Sequence, residues 1–172
     1  MAVWNVIEHD ELGASAATWT ESSISASYDH LCLKMSMRTD NGDRGYWLIE
    51  LSGDTTAGNY SWTQLYSGVT ATPSADRATS GCALSWTTGV DATADTFASA
   101  ILWIPNYANT SHYKQMVCRS GAENATTTNN EWGLMVAAGL WASTAAVDQI
   151  TLTPDADFLQ YSTFTLYGIN GA

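Results

Sequence analysis

The chain has 172 residues and a mass of 18.5 kDa, enough for one domain with a core of its own. Six Lys and Arg stand against 17 Asp and Glu, a net charge of -11, which leaves no basic footprint for nucleic acid and disfavours an anionic membrane. Only 13% of the residues are charged, about half the usual quarter, so solubility rests largely on Ser, Thr, Asn and Gln.

Val3-Trp4-Asn5-Val6-Ile7-Glu8-His9 alternates poorly and carries a large aromatic. Residues 1–12 therefore read as an N-terminal arm docking on a neighbour, or as an edge strand, ahead of a sandwich domain over 13–172. Gly13 to Ala17 is a break of small residues, and Thr18 to Ile24 reads as a short strand. From Tyr28 to Arg38 the pattern is clear: Leu31, Leu33, Met35 and Met37 face one way, and Cys32, Lys34, Ser36 and Arg38 the other. Asn41-Gly42 predicts a hairpin tip before the strand Tyr46 to Leu51. After a polar loop over 52–59, Tyr60, Trp62, Gln64 and Tyr66 share one face of a strand. Residues 67–81 carry few large apolar side chains and predict an exposed loop.

Cys82 to Trp86 is a brief apolar stretch, and 89–96 a polar connection. Phe97 to Ile104 is the most apolar strand, ended by Pro105-Asn106. Tyr113 to Arg119 follows, then a polar loop over 121–130 and an apolar strand from Trp132 to Trp141, where Gly133 and Gly139 argue against helix. Val147 to Thr153 and Tyr161 to Ile169 close the chain as two strands around a Pro154-Asp155-Ala156-Asp157 turn. The last run alternates so well that it is expected inside a sheet, closing the fold. The whole predicts an all-β chain of roughly eight or nine strands, a single antiparallel β-sandwich of jelly-roll type.

No grouping promises chemistry. His9, His30 and His112 are scattered, with no HExxH spacing, no GxSxG and no phosphate loop. The acid pairs Asp40/Asp43, Asp91/Asp95 and Asp155/Asp157 sit where Asp favours turns. Asp40-Asn41-Gly42-Asp43 lacks the distal Glu of a calcium loop. Cys32, Cys82 and Cys118 are an odd set without CxxC, so neither zinc nor a full disulfide framework is expected, and free thiols favour synthesis in a reducing cytoplasm. The first residues lack the basic and apolar regions of a signal peptide, and no run nears the roughly 18 apolar residues of a membrane span. The expectation is no enzyme, no cofactor and no metal. Trp62, Trp86, Trp103, Trp132 and Trp141 lie in strand-like runs and read as core or subunit interface, with stacking on sugar rings as the alternative. Trp4, Ile7 and Trp19, around the Gly13 break, are the predicted partner interface.

Several segments carry a resemblance: Trp4-Asn5-Val6-Ile7-Glu8-His9 with Glu11-Leu12-Gly13, Tyr28-Asp29-His30-Leu31, Leu51-Ser52-Gly53-Asp54 with Asn59-Tyr60-Ser61, Ile104-Pro105-Asn106-Tyr107, and Gly139-Leu140-Trp141 through Ile150-Thr151-Leu152 to Tyr161-Ser162-Thr163-Phe164-Thr165-Leu166-Tyr167-Gly168-Ile169. In this order they span nearly the whole chain, which resembles small virion-associated proteins of tailed bacteriophages. None of the segments is a chemical motif. The resemblance implies a virion structural protein, made in the host cytoplasm and sited on the particle's outer surface. A capsid decoration (cement) protein is the first expectation, and a tail-associated adhesin binding host surface carbohydrate the alternative. The implied partners are the major capsid protein or other virion proteins. A low charged fraction with abundant Trp, Tyr and Met adds the expectation of a homo-oligomer, a trimer.

Overall fold

The computed structural model describes residues 2–42, 44–67, 71–123 and 133–171. Asp43, Trp132, the 68–70 part of the expected exposed loop and the 124–130 part of the expected polar loop lie outside them. Twelve strands follow one another: β1 (Val3–Glu11), β2 (Trp19–Ser22), β3 (His30–Met37), β4 (Arg44–Leu51), β5 (Tyr60–Ser67), β6 (Ala71–Thr79), β7 (Cys82–Thr88), β8 (Ala98–Pro105), β9 (Lys114–Ala122), β10 (Gly133–Trp141), β11 (Gln149–Pro154) and β12 (Thr163–Asn170). No helix occurs among the described residues.

The strands form two antiparallel sheets. One has eight strands in the order β1-β12-β3-β8-β9-β10-β5-β6, the other four in the order β2-β11-β4-β7. With β5, β6, β9 and β10 set aside, the remainder is β1-β12-β3-β8 facing β2-β11-β4-β7. In that frame the chain passes from one sheet to the other at β1–β2, β2–β3, β3–β4, β7–β8, β8–β11 and β11–β12. This double Greek key of eight strands is the jelly roll. The four remaining strands all extend the same sheet, on the side of β8. One sheet is therefore twice as wide as the other.

Period-two patterning explains most of the pairing. Leu31, Leu33, Met35 and Met37 of β3 point into the sandwich and are buried, as their spacing predicts. They meet Trp47, Ile49 and Leu51 of β4, Ile150 and Leu152 of β11, and Phe164 and Leu166 of β12 in one core. β12 lies between β1 and β3, inside the sheet. Two departures from the sequence pattern have simple causes. Residues 71–79 are strand β6 rather than loop, paired with β5 alone. An edge strand can lack large apolar residues and can hold a proline such as Pro73. Residues 3–11 are edge strand β1, paired with β12 from Val3–Asn170 to Glu11–Thr163. A bulge between Val6 and Glu8 shifts the register, which is why the alternation reads poorly.

Candidate functional site

Two surfaces stand out, both products of the wide sheet. The first is its outer face. Strands β12, β3, β8, β9, β10 and β5 contain no Asp or Glu, although the chain has 17. On their solvent side stand Ile101, Val117, Leu134, Val136 and Leu65, all exposed, with Leu134 at 71%. Trp4 and Val6 of β1 continue the face. The Trp4 ring, 47% exposed, packs edge-on to Tyr167 at 5.6 Å and tilted to Trp103 at 6.4 Å. Lys34 Nζ sits 5.2 Å from the Trp4 ring and 5.0 Å from that of Tyr167, a cation–π arrangement. A shallow groove of about 710 Å³ runs between Trp4, Lys34, Ile101, Trp103, Val117 and Arg119. The cations on this side are Lys34 and Arg119, both exposed.

The second is a cleft of about 570 Å³ where the wide sheet outruns the narrow one. Edge strand β7 packs across β8, β9, β10 and β5. Tyr60 and Tyr66 of β5 still meet the core and Trp86 of β7, while Trp62, Gln64 and Asp76 reach past that edge. Trp62, Gln64 and Asp76 line the cleft from that overhang, and Tyr46, Ser85 and Trp86 from the β4–β7 edge. Trp86 is fixed on two sides. Its ring centroid lies 4.4 Å from that of Tyr66, and the Arg44 guanidinium stands 3.8 Å over it. Arg77 ties down the β5–β6 hairpin by donating to the Trp62 carbonyl at 2.9 Å, while its own backbone N–H reaches Asp76 Oδ1 at 2.7 Å. Gln64 is the unusual member. Its side chain is only 9% exposed yet makes no hydrogen bond to any described residue. Its amide atoms keep contact with solvent in the cleft, unlike the enclosed and unpaired Trp47 Nε1 and Thr88 Oγ1.

Of the predicted interface residues, Trp4 and Ile7 both lie on β1, Trp4 on the outer face and Ile7 half-buried against the core. Trp19 does not join them. It is 4% exposed inside the sandwich and stacks on Phe164 at 4.9 Å. Its place on β2, paired with the inner strand β11, turns it to the core rather than to a partner. Of the acids assigned to turns, Asp155 accepts from Asn41 Nδ2 and from the Tyr46 N–H, and Asp95 takes a positive φ of 63°. No group of three or more His, Cys, Asp or Glu among the described residues is placed to hold a metal. His9 Nδ1 lies 2.8 Å from Thr165 Oγ1, and His30 Nδ1 accepts from the Asn106 N–H. Cys32, Cys82 and Cys118 are free and buried, and burial pushes the Cys82 and Cys118 thiols up to about 12, away from the reactive thiolate. Sequence did place Gln64 on the aromatic face of its strand, and a lone amide in that stripe is the signal that could have marked the cleft.

No family model and no curated protein matches this sequence. Among solved structures it is similar to a scytalido-glutamic peptidase bound to a transition-state analog, at 12% identity and a TM-score of 0.28, covering 94% of this chain and 65% of that one. The high-affinity mannose-binding lectin of Ralstonia solanacearum gives 12% identity and a TM-score of 0.22, over 71% of this chain and 94% of the lectin. Alginate lyase vAL-1 from Chlorella virus gives 6% and 0.30, over 93% and 83%. Likeness at this level says nothing of ligand or chemistry.

Proposed function

We propose that this chain is a structural protein of a tailed-bacteriophage particle, a non-enzymatic decoration protein seated on the outer surface of the capsid. The observation that carries this reading is the exposed apolar face of the six acid-free strands β12, β3, β8, β9, β10 and β5, set on a molecule of net charge -11. Patches of exposed apolar side chains larger than a few hundred Å² mark interaction sites on soluble proteins. The chemistry of this one specifies its partner. Exposed Ile101, Val117, Leu134 and Val136 ask for an apolar surface, and Lys34 and Arg119 ask for carboxylates. A second copy docking by the same face would set these cations against themselves. An acidic, partly apolar shell of capsid protein would not. The outward-facing remainder then carries most of the acids, which keeps decorated particles apart. The resemblance to virion-associated proteins supports a place on the particle but does not choose between capsid and tail, and on the capsid copies would group as trimers where its subunits meet.

Stoichiometry tests the reading. Purified particles, resolved by electrophoresis and scanned against the major capsid protein, should contain on the order of hundreds of copies, as a repeating symmetric shell requires. A handful per particle would move the protein to the tail and favour the adhesin reading. Absence from the particle would overturn both.

A further inference from the structure

The cleft at the β7 edge has no part in that attachment, because it opens from the inner side of the wide sheet. Its volume of about 570 Å³ falls within the range of small-ligand sites. Two of its features point to one chemistry. The walls are aromatic: Trp62 and the 45% exposed Tyr46 offer ring surface that stacks on the C–H faces of a pyranose, beside a Trp86 already held by Tyr66 and Arg44. Between the rings stand polar groups with hydrogen-bonding capacity to spare. The Gln64 amide offers two donors and an acceptor, none of them used by a described residue. Asp76 adds acceptor oxygens at the rim, fixed by the adjacent Arg77 N–H. A purely apolar ligand would leave Gln64 unsatisfied, at the cost of a buried amide without hydrogen bonds. A phosphorylated or carboxylated ligand would meet Asp76 and the field of a strongly acidic protein.

We propose that this cleft binds a neutral oligosaccharide, with pyranose rings stacked on Trp62 and Tyr46 and hydroxyls hydrogen-bonded to Gln64 and Asp76. The elements holding these groups are the overhanging β5–β6 hairpin and the β4–β7 edge, so the site exists only because the two sheets differ in width.

The test is a titration of the purified protein with short gluco-, manno- and galacto-oligosaccharides. Tryptophan emission and calorimetry report binding, and oligogalacturonate serves as the anionic comparison. At least one neutral series should bind and shift the emission. Gln64→Leu, Tyr46→Ala and Asp76→Asn should each weaken that binding by about tenfold or more. Tyr46 is exposed enough that its replacement keeps the fold, which thermal unfolding verifies, so the test survives if Gln64→Leu proves unstable. No neutral series binding by about 10 mM would overturn the proposal. So would binding that all three variants leave intact, or tighter binding of oligogalacturonate. The particle copy number bears on none of these outcomes, so this proposal and the capsid reading stand or fall separately.

Discussion

Asp54 organises a loop that its flanking strands leave unsupported. Ser52 and Gly53 both take positive φ, 53° and 67°, which turns the chain back after β4. The Asp54 carboxylate then receives the Trp141 indole N–H at 2.7 Å, the Asn59 amide at 2.8 Å and the Thr56 N–H at 2.9 Å. The Trp141 donor above all holds its carboxyl well below the usual carboxylate range. Burial acts the other way, and Asn59 and Thr56 add to the lowering. A carboxyl lowered on folding contributes stability that is complete above its unfolded pKa, about 4, and is lost as pH falls toward its folded value. Asp54→Asn should therefore cost about 2 kcal/mol at neutral pH. In urea unfolding the gap between the two proteins should narrow between about pH 4 and pH 2. A gap that stays constant with pH would show that the charge on Asp54 does not matter.

At the scale of strands, what the sequence makes legible depends on whether a strand has a buried face. β3, β11 and β12 alternate cleanly because one side of each meets the core, and their inward residues could be named in advance. β6 is invisible to the same logic because it is an edge strand. Arg38 shows a different limit. Alternation places it with the solvent-facing set of β3, yet it is buried, donating to the carbonyls of Val90, Ala92, Thr93 and Thr96. No local pattern announces that a loop some 55 residues away folds over its head. Lys114 is hidden in the same way, with Nζ donating to the carbonyls of His112 and Thr144. The acid-free face was legible only in part. Its strands could be read, but their adjacency comes from topology, which joins β8 and β9 to β10 and β5.

That face supports a charge-specific prediction. Val136 on β10 is exposed and lies opposite Arg119 of β9 and Leu65 of β5. Val136→Lys and Val136→Glu should each cost at most about 1 kcal/mol in stability, the span of strand propensity. Attachment to particles should suffer far more from Glu than from Lys, because the proposed partner surface is acidic. Cosedimentation of each variant with particles stripped of the native protein measures this. Equal losses would remove the charge complementarity and leave an apolar contact alone.

For the whole molecule, the three thiols report on opening. Cys32, Cys82 and Cys118 are each 1% exposed or less and belong to strands of both sheets. Native protein should resist a thiol reagent, and denaturant should release all three together as the sandwich opens cooperatively. One thiol reacting well before the others would mark a sheet edge that frays alone. Cys32 is the natural suspect, lying on the outer side of β3 beneath Trp103 and Trp4.

The position of β12 between β1 and β3 has a consequence for biosynthesis. β1 leaves the ribosome well before its sole neighbour in the sheet, which lies 152 positions further on, from Glu11 to Thr163. At 5–20 residues per second, roughly 8 to 30 s pass before that neighbour exists. Throughout that interval Trp4, Val6 and Ile7 hang on an unpaired backbone, next to a β3 that also lacks one of its two flanking strands. The nascent chain thus carries open hydrogen-bonding edges that only β12 can seal, and stays exposed to chaperones, proteases and its neighbours on the same polysome until β12 emerges.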